Sequence, residues 1–231
     1  MKRVVVTAGA AGIGLRIAQT YLAAGAQVAI CDVDVGALDV FRAAHPDALA
    51  MQANVTDEAD MDAFFAACDE HLGSVDVMVS TAGIGGPAAL IEDLDYADWK
   101  ATLSTTLDGT FLSARWAAKH MRAQKSGLIV LLSSTAGLFG YPYRSAYATA
   151  KWGIVGLTKT LAMEMGGDGI RVNCIFPGSV EGDRMDRVVA TEARARGVAD
   201  QGGRDDYVSA DSLTPLVTAD GMTHMIQLLE V

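Results

Sequence analysis

The chain is short of three things, and each shortage narrows what it does. Cysteine is scarce: Cys31, Cys68 and Cys174 are far apart and odd in number. They fit neither a disulfide framework nor a metal-ligand spacing, so they read as reduced thiols, partly buried. The histidines His45, His71, His120 and His224 share no motif either, and no metal site is expected. Long apolar runs are missing, since none approaches the ~18–20 residues that cross a bilayer. Positive charge is also short. Lys and Arg number 18 against 28 Asp and Glu, for a formal net charge of −10. A chain this acidic repels phosphate backbones and anionic lipid, which argues against nucleic-acid and membrane partners. Met1-Lys2-Arg3 and the apolar residues behind them imitate a signal peptide. The same residues are needed for a nucleotide motif, so the expected location is cytoplasmic.

What is present is alternation. At 231 residues the chain suits one α/β domain and is short for two. Short β-branched or apolar runs at Lys2–Thr7, Gln27–Asp32, Val75–Ser80, Gly127–Ser134 and Gly169–Phe176 read as strands buried on both faces. Helical patterns lie between them. After Thr56, for example, Met61, Phe64, Phe65, Cys68 and Leu72 share one face. Strand–helix alternation implies a doubly wound parallel sheet with helices on both sides. Ligands in such sheets bind at the carboxyl ends of the strands. The charged, Arg- and Gly-rich stretch 182–214 breaks the alternation and reads as a lid-like insertion within the single domain 1–231. Arg184 and Arg187 within it read as a solvated face, with an anion clamp as the sharper alternative.

The first strand runs into Gly9-Ala10-Ala11-Gly12-Ile13-Gly14 and then into a helical stretch near Leu15–Ala24. Glycines suit a backbone that turns tightly and approaches a pyrophosphate, and the helix N-terminus supplies free N–H groups. A second strand ends at Asp32, whose carboxylate is placed to accept hydrogen bonds from an adenosine ribose and to repel a 2′-phosphate. Strand, glycine loop, helix and acidic residue together form a dinucleotide fingerprint, and the cofactor expected is NAD.

Tyr147 and Lys151 stand at i and i+4, on one helix face. A phenol is a poor base at neutral pH, and a neighbouring ammonium favours its ionised form. Tyr147 is therefore a candidate to take an alcohol proton as hydride departs, and Ser134, at a strand end, to hold the substrate oxygen. Phe139, Tyr141 and Tyr143 lie between them as candidate walls of an apolar pocket.

At this point the chain resembles the classical short-chain dehydrogenase/reductase family. The resemblance is carried by Thr7 with Gly12 and Gly14, Asp32, Asn54-Val55, Ala82-Gly83, Ser134, Tyr147-Ala148-Thr149-Ala150-Lys151, Asn173 and Pro177-Gly178. It implies a Rossmann-like fold with Tyr147 as acid/base, Ser134 as its partner and Lys151 on the nicotinamide ribose. The cofactor set it implies is Thr7, Gly9, Gly12, Ile13, Gly14, Asp32, Asn54, Val55, Ala82, Gly83, Tyr147, Lys151, Pro177, Gly178 and Val180. Four positions depart from the family pattern. Ala8 stands for the first glycine, Ser80-Thr81 for paired asparagines, and Gly182 for a threonine near the nicotinamide amide. Thr106 stands for the asparagine that supports a water relay to the lysine, and it is kept as a catalytic candidate.

The resulting expectation is hydride transfer between NAD and a secondary alcohol or ketone. The alternative is a catalytically impaired nucleotide-binding module or scaffold of the same fold. The family's usual C-terminal edge strand is not found after the amphipathic Met222, Met225, Ile226 and Leu229 pattern, so the sheet is expected to lack it. A homodimer or homotetramer is expected, with the helix pair Thr102–Met121 and Ala146–Met165 as the interface.

Overall fold

The computed structural model of the chain describes residues 1–178 together with Gly221, Ile226 and Leu229. Among these residues six parallel strands form one sheet. They are β1 (Arg3–Thr7), β2 (Gln27–Asp32), β3 (Leu49–Gln52), β4 (Val77–Ser80), β5 (Gly127–Leu132) and β6 (Ile170–Ile175), in the spatial order β3-β2-β1-β4-β5-β6. After β3 the chain crosses to the far side of β1, so β1 and β4 flank the switch point where such sheets bind ligands.

The strands are apolar on both faces because both faces are covered. Val5, Ala29, Met78 and Ile129 pack on one side, against α3 (Glu58–Leu72), α5 (Gly109–Gln124) and α6 (Ser145–Met165). Val4, Val6, Val28, Ile30, Val77, Val79 and Val130 pack on the other, against α1 (Gly12–Ala23) and α2 (Val35–Ala44). The alternation of neighbouring residues between two cores is the period of two that a pleated strand imposes. Met61, Phe64, Phe65, Cys68 and Leu72 are all buried on α3, as their spacing predicts. Asp57 caps that helix by accepting from Ala59 and Asp60 N–H, and Gly73 ends it at φ 68°.

The structure differs from the sequence reading in local ways. The short strand β3 has no counterpart in that reading, because four residues carry too little periodicity. β5 stops at Leu132, two residues earlier than expected: Ser133 N–H still donates to Ile175 O, and Ser134 heads the turn before α6. The helix expected over Thr102–Met121 is α4 (Tyr96–Leu103) and α5 joined by a π-helical turn at Ser104–Asp108. The lid-like stretch 182–214, with Gly182, Arg184 and Arg187, lies outside the described residues, as do Val180 and His224; the expectation about a final edge strand concerns chain beyond Leu229. No helix among the described residues is long and apolar enough to cross a membrane.

Candidate active site

The carboxyl ends of β1, β2, β4 and β5 carry most of the residues singled out above. At the end of β1 the chain turns through Ala8, which adopts a left-handed φ of 49°. This is the position where the resemblance expects glycine, and alanine occupies it in a glycine's conformation. The turn is tied down from three directions. Gly9 N–H donates to Cys31 O at 3.0 Å, and the Thr81 hydroxyl donates to Thr7 O at 2.5 Å. Ala10 N–H donates to the Asp32 carboxylate at 3.1 Å. Asp32 also accepts from Val33 N–H at 2.8 Å, so its carboxylate is held at the end of β2.

The helix that follows approaches the turn closely. A Cβ on Gly14 would lie 2.2 Å from Ala8 O and 2.8 Å from Thr81 Oγ1, distances no side chain tolerates. α2, α3 and α4 begin with an aspartate whose side chain accepts a helix N–H: Asp34, Asp57 and Asp95. α1 follows Ala11 and has no side-chain cap, as is also true of α5 and α6. The first N–H groups of α1 receive no capping side chain, and free N–H groups at a helix start are the donor set a pyrophosphate uses. The residues present therefore fit a dinucleotide. Asn54 follows β3, its side chain turned onto the Thr56 N–H and hydroxyl. Val55 is buried against Gly109.

On the β5 side the anchor is Lys151, which is 4% exposed. Its Nζ donates to Leu132 O at 2.7 Å and lies 5.6 Å from the Tyr147 ring centroid. The Ser133 hydroxyl donates to Lys151 O at 2.8 Å. Ser134 heads the next turn, its Oγ accepting from Ala136 N–H at 3.3 Å. That turn packs directly on α6, for a Cβ on Gly137 would come within 2.9 Å of Lys151 O. Gly83 faces Thr106 and Lys151, with its hypothetical Cβ 3.4 Å from Thr106 Oγ1 and 3.6 Å from Lys151 Nζ. Thr106 is fully buried in the π turn, and its hydroxyl meets Ile84 N at 3.2 Å and Ile84 O at 3.4 Å. Tyr141 sets its ring edge-on to that of Tyr147, centroids 6.3 Å apart. Pro177 O accepts from Thr135 N–H, which brings β6's end beside the same turn.

The structure thus gathers Ser134, Tyr147, Lys151, Thr106 and Gly83 on one side, and Thr7, Gly9, Gly14 and Asp32 on the other. Two participants carry little mark in the sequence as binding-site builders. Thr81 pins the glycine turn, and its only signal is that it replaces an expected asparagine. Arg144, buried three residues before Tyr147, carries no signal at all. Cys31 and Cys68 are buried, and desolvation pushes both thiols up, Cys31 to about 12, which suits inert core residues. No cluster of metal-ligating side chains occurs among the described residues.

Comparison with known proteins follows the same lines. A family profile described as short chain dehydrogenase matches residues 2–193. The cis-4-hydroxycyclohexanecarboxylate dehydrogenase of Sinomonas cyclohexanicum is 41% identical over 177 residues, 75% of this chain and 71% of the relative. Among solved structures, NAD+-bound xylitol dehydrogenase superposes with a TM-score of 0.92 at 25% identity, covering 99% of this chain and 91% of the other. A variant of actinorhodin polyketide ketoreductase with NADPH does so with a TM-score of 0.92 at 28% identity, covering 99% and 89%. The fold therefore accommodates either nicotinamide cofactor, and the choice lies in individual residues.

Proposed function

Because this chain belongs to the short-chain dehydrogenase family, we propose that it transfers a hydride between NAD and a secondary alcohol or its ketone, with Tyr147 as the general acid and base. The observation that carries this reading is the setting of Lys151. It is a buried ammonium held by Leu132 O beneath the Tyr147 ring, with Ser134 on the adjoining turn.

NAD, when bound, supplies the hydride acceptor; everything else falls to the protein. The uncapped start of α1 and the turn from Thr7 to Gly14 hold the pyrophosphate, and Asp32 accepts from the ribose hydroxyls. Asp32 also selects NAD over NADP, since a 2′-phosphate beside it meets like charge. Asn54 and Val55 border the adenine, while Ala82, Gly83, Pro177 and Gly178 complete the nicotinamide side. Ser134 orients the substrate oxygen by a hydrogen bond. Tyr147 removes its proton as general base, with the Lys151 ammonium 5.6 Å from its ring centroid. Thr106 borders the same space and is the candidate to hold a relay water.

The exposed Leu138 and Phe139, with Tyr141 beside Tyr147, favour a substrate with an apolar carbon frame. A ring alcohol of the kind named for the Sinomonas relative fits that description. The oligomer, in this reading, joins through α5 and α6, where Phe111, Leu157 and Leu161 border a surface cleft; mass measurement in solution checks this. The enzyme is placed in the cytoplasm, which fractionation checks.

The deciding experiment is NADH production against cyclic and acyclic secondary alcohols, for the wild type and Tyr147→Phe. The variant is expected to lose about 10²–10⁴ in rate while binding NAD as before. Retained activity in the variant overturns the assignment. Cofactor binding by the wild type without turnover on any alcohol points instead to an impaired nucleotide-binding module.

A further inference from the structure

Outside the chemistry proposed for Tyr147 stands Arg144, a charged side chain only 4% exposed at the start of α6. Burying a guanidinium is costly unless hydrogen bonds compensate. Here Nη1 donates to Gly86 O at 2.5 Å and lies 3.4 Å from Gly85 O. We propose that Arg144 is a positioning residue, tying the first turn of α6, and Tyr147 on it, to the loop that follows β4. The proposal rests on Tyr147 being the acid/base.

Both ends of this tie are themselves held. On the loop side, Gly86 takes a φ of 64°, and a Cβ there would come within 2.4 Å of Thr102 Oγ1, so its backbone is seated against α4. Ile84, two residues earlier, is bonded through N and O to the Thr106 hydroxyl. On the helix side, Arg144 O accepts from Ala148 N–H at 2.8 Å, closing the turn that contains Tyr147. A second bond joins the same two segments: Ala89 N–H donates to Tyr143 O at 3.0 Å. Tyr143 makes that bond from a left-handed φ of 63°, a conformation a bulky side chain rarely adopts and one that surrounding contacts must impose.

Lys151 is anchored independently, by Leu132 O and the Ser133 hydroxyl. Tyr147 and Lys151 both ride on α6, whose Lys151 turn is held from β5 and whose first turn is held from the β4 loop. Arg144 thereby fixes the phenol relative to the turn that carries Ser134. Misplacing a reacting group by about 1 Å costs on the order of a hundredfold in rate.

The test compares Arg144→Met and Arg144→Lys with the wild type. It measures kcat and KM for the alcohol, the Kd for NADH by fluorescence, and hydrogen exchange of the peptide spanning residues 84–91. Arg144→Met is expected to lower kcat about tenfold to a hundredfold, with NADH affinity within about threefold of wild type and exchange in 84–91 raised. Arg144→Lys, which reaches one carbonyl with a single ammonium, is expected to recover part of kcat. It also serves if the Met variant does not fold. Unchanged kcat and unchanged exchange in a folded variant overturn the proposal. A loss of NADH affinity equal to the loss of kcat also overturns it, because that pattern marks a general structural defect. Tyr147→Phe separates the two readings. If it stays active, the acid/base assignment has failed; if it is dead while Arg144→Met turns over normally, only the tie has failed.

Discussion

Ala8 and Tyr143 both hold a left-handed backbone beside the site, at φ 49° and 63°, yet they are kept there by different means. Ala8 sits in a turn closed by main-chain and short side-chain bonds between adjacent strands, from Gly9 to Cys31 and from Thr81 to Thr7. Tyr143 sits in a loop held by partners more than fifty residues earlier in the chain, Ala89 and, through Arg144, Gly86. The side proposed for the cofactor is therefore a tight turn at the carboxyl end of β1, where an atom added at Gly9 or Gly14 collides. The side proposed for the substrate is two loops fastened to each other.

The sharpest way to break this contrast is Gly14→Ala. Its Cβ would overlap Ala8 O, so α1 or the turn must shift. NAD affinity is expected to fall about a hundredfold, in line with overpacking costs of ~1–3 kcal/mol and the loss of aligned N–H donors. Isothermal titration of the purified variant measures it. Near-normal affinity would show that the turn is looser than its contacts imply.

Asp32→Ala comes next. Removing the carboxylate is expected to change the ratio of kcat/KM for NAD and NADP by about tenfold to a hundredfold in favour of NADP. Equal use of both cofactors by the wild type sinks the idea before any mutation is made.

Ala8→Gly should be milder and of opposite sign. A left-handed alanine costs ~1–2 kcal/mol that glycine does not, and glycine's greater freedom in the unfolded chain offsets part of it. The expected net gain is below about 1 kcal/mol, or a rise of about 1–3 °C in Tm. The same exchange at Tyr143 relieves similar strain but deletes a half-buried ring, so it is expected to give no gain in Tm. Equal gains at both positions would erase the distinction between the two regions.

The smallest effect lies at the opposite, amino-terminal end of the two central strands, β1 and β4. Arg3 donates to Asp76 at 2.9 and 2.6 Å, and this pairing holds the Asp76 carboxyl below the usual carboxylate range. A carboxyl lowered by folding contributes stability above its unfolded value of about 3.9 and loses it as the pH falls through the folded value. Both side chains are nearly a third exposed, so the contribution is below about 1 kcal/mol. Urea melts of wild type and Arg3→Gln should differ at about pH 6 and converge toward about pH 2–3, with NAD affinity at neutral pH unaffected. A difference that persists in acid would mean the pair acts through packing and not charge.

Much of this is legible in the chain. Apolar runs of five or six residues announce doubly covered strands, and Met61 to Leu72 announces a helix face, because periodicity is a local property. The glycine loop, Asp32 and the Tyr147–Lys151 spacing are legible for the same reason: each is a short-range geometry written in consecutive residues. β3 is lost because four residues hold too few periods, and the π turn because backbone hydrogen-bond slippage leaves no mark in side-chain type.

What the sequence by itself determined is the alternating parallel architecture, the glycine loop between the first strand and helix, and the Tyr147–Lys151 spacing on one helix face. The tertiary structure alone decided that Ala8 is forced into a glycine's conformation by Thr81 and β2. It alone set Lys151 between Leu132 O, Thr106 and Gly83, and drew Arg144 onto Gly86. The physical reason is range. Propensity and periodicity act over a few residues, whereas hydrogen bonds such as Thr81 to Thr7 or Arg144 to Gly86 join positions 74 and 58 apart, and no local pattern encodes which distant carbonyl a donor will meet.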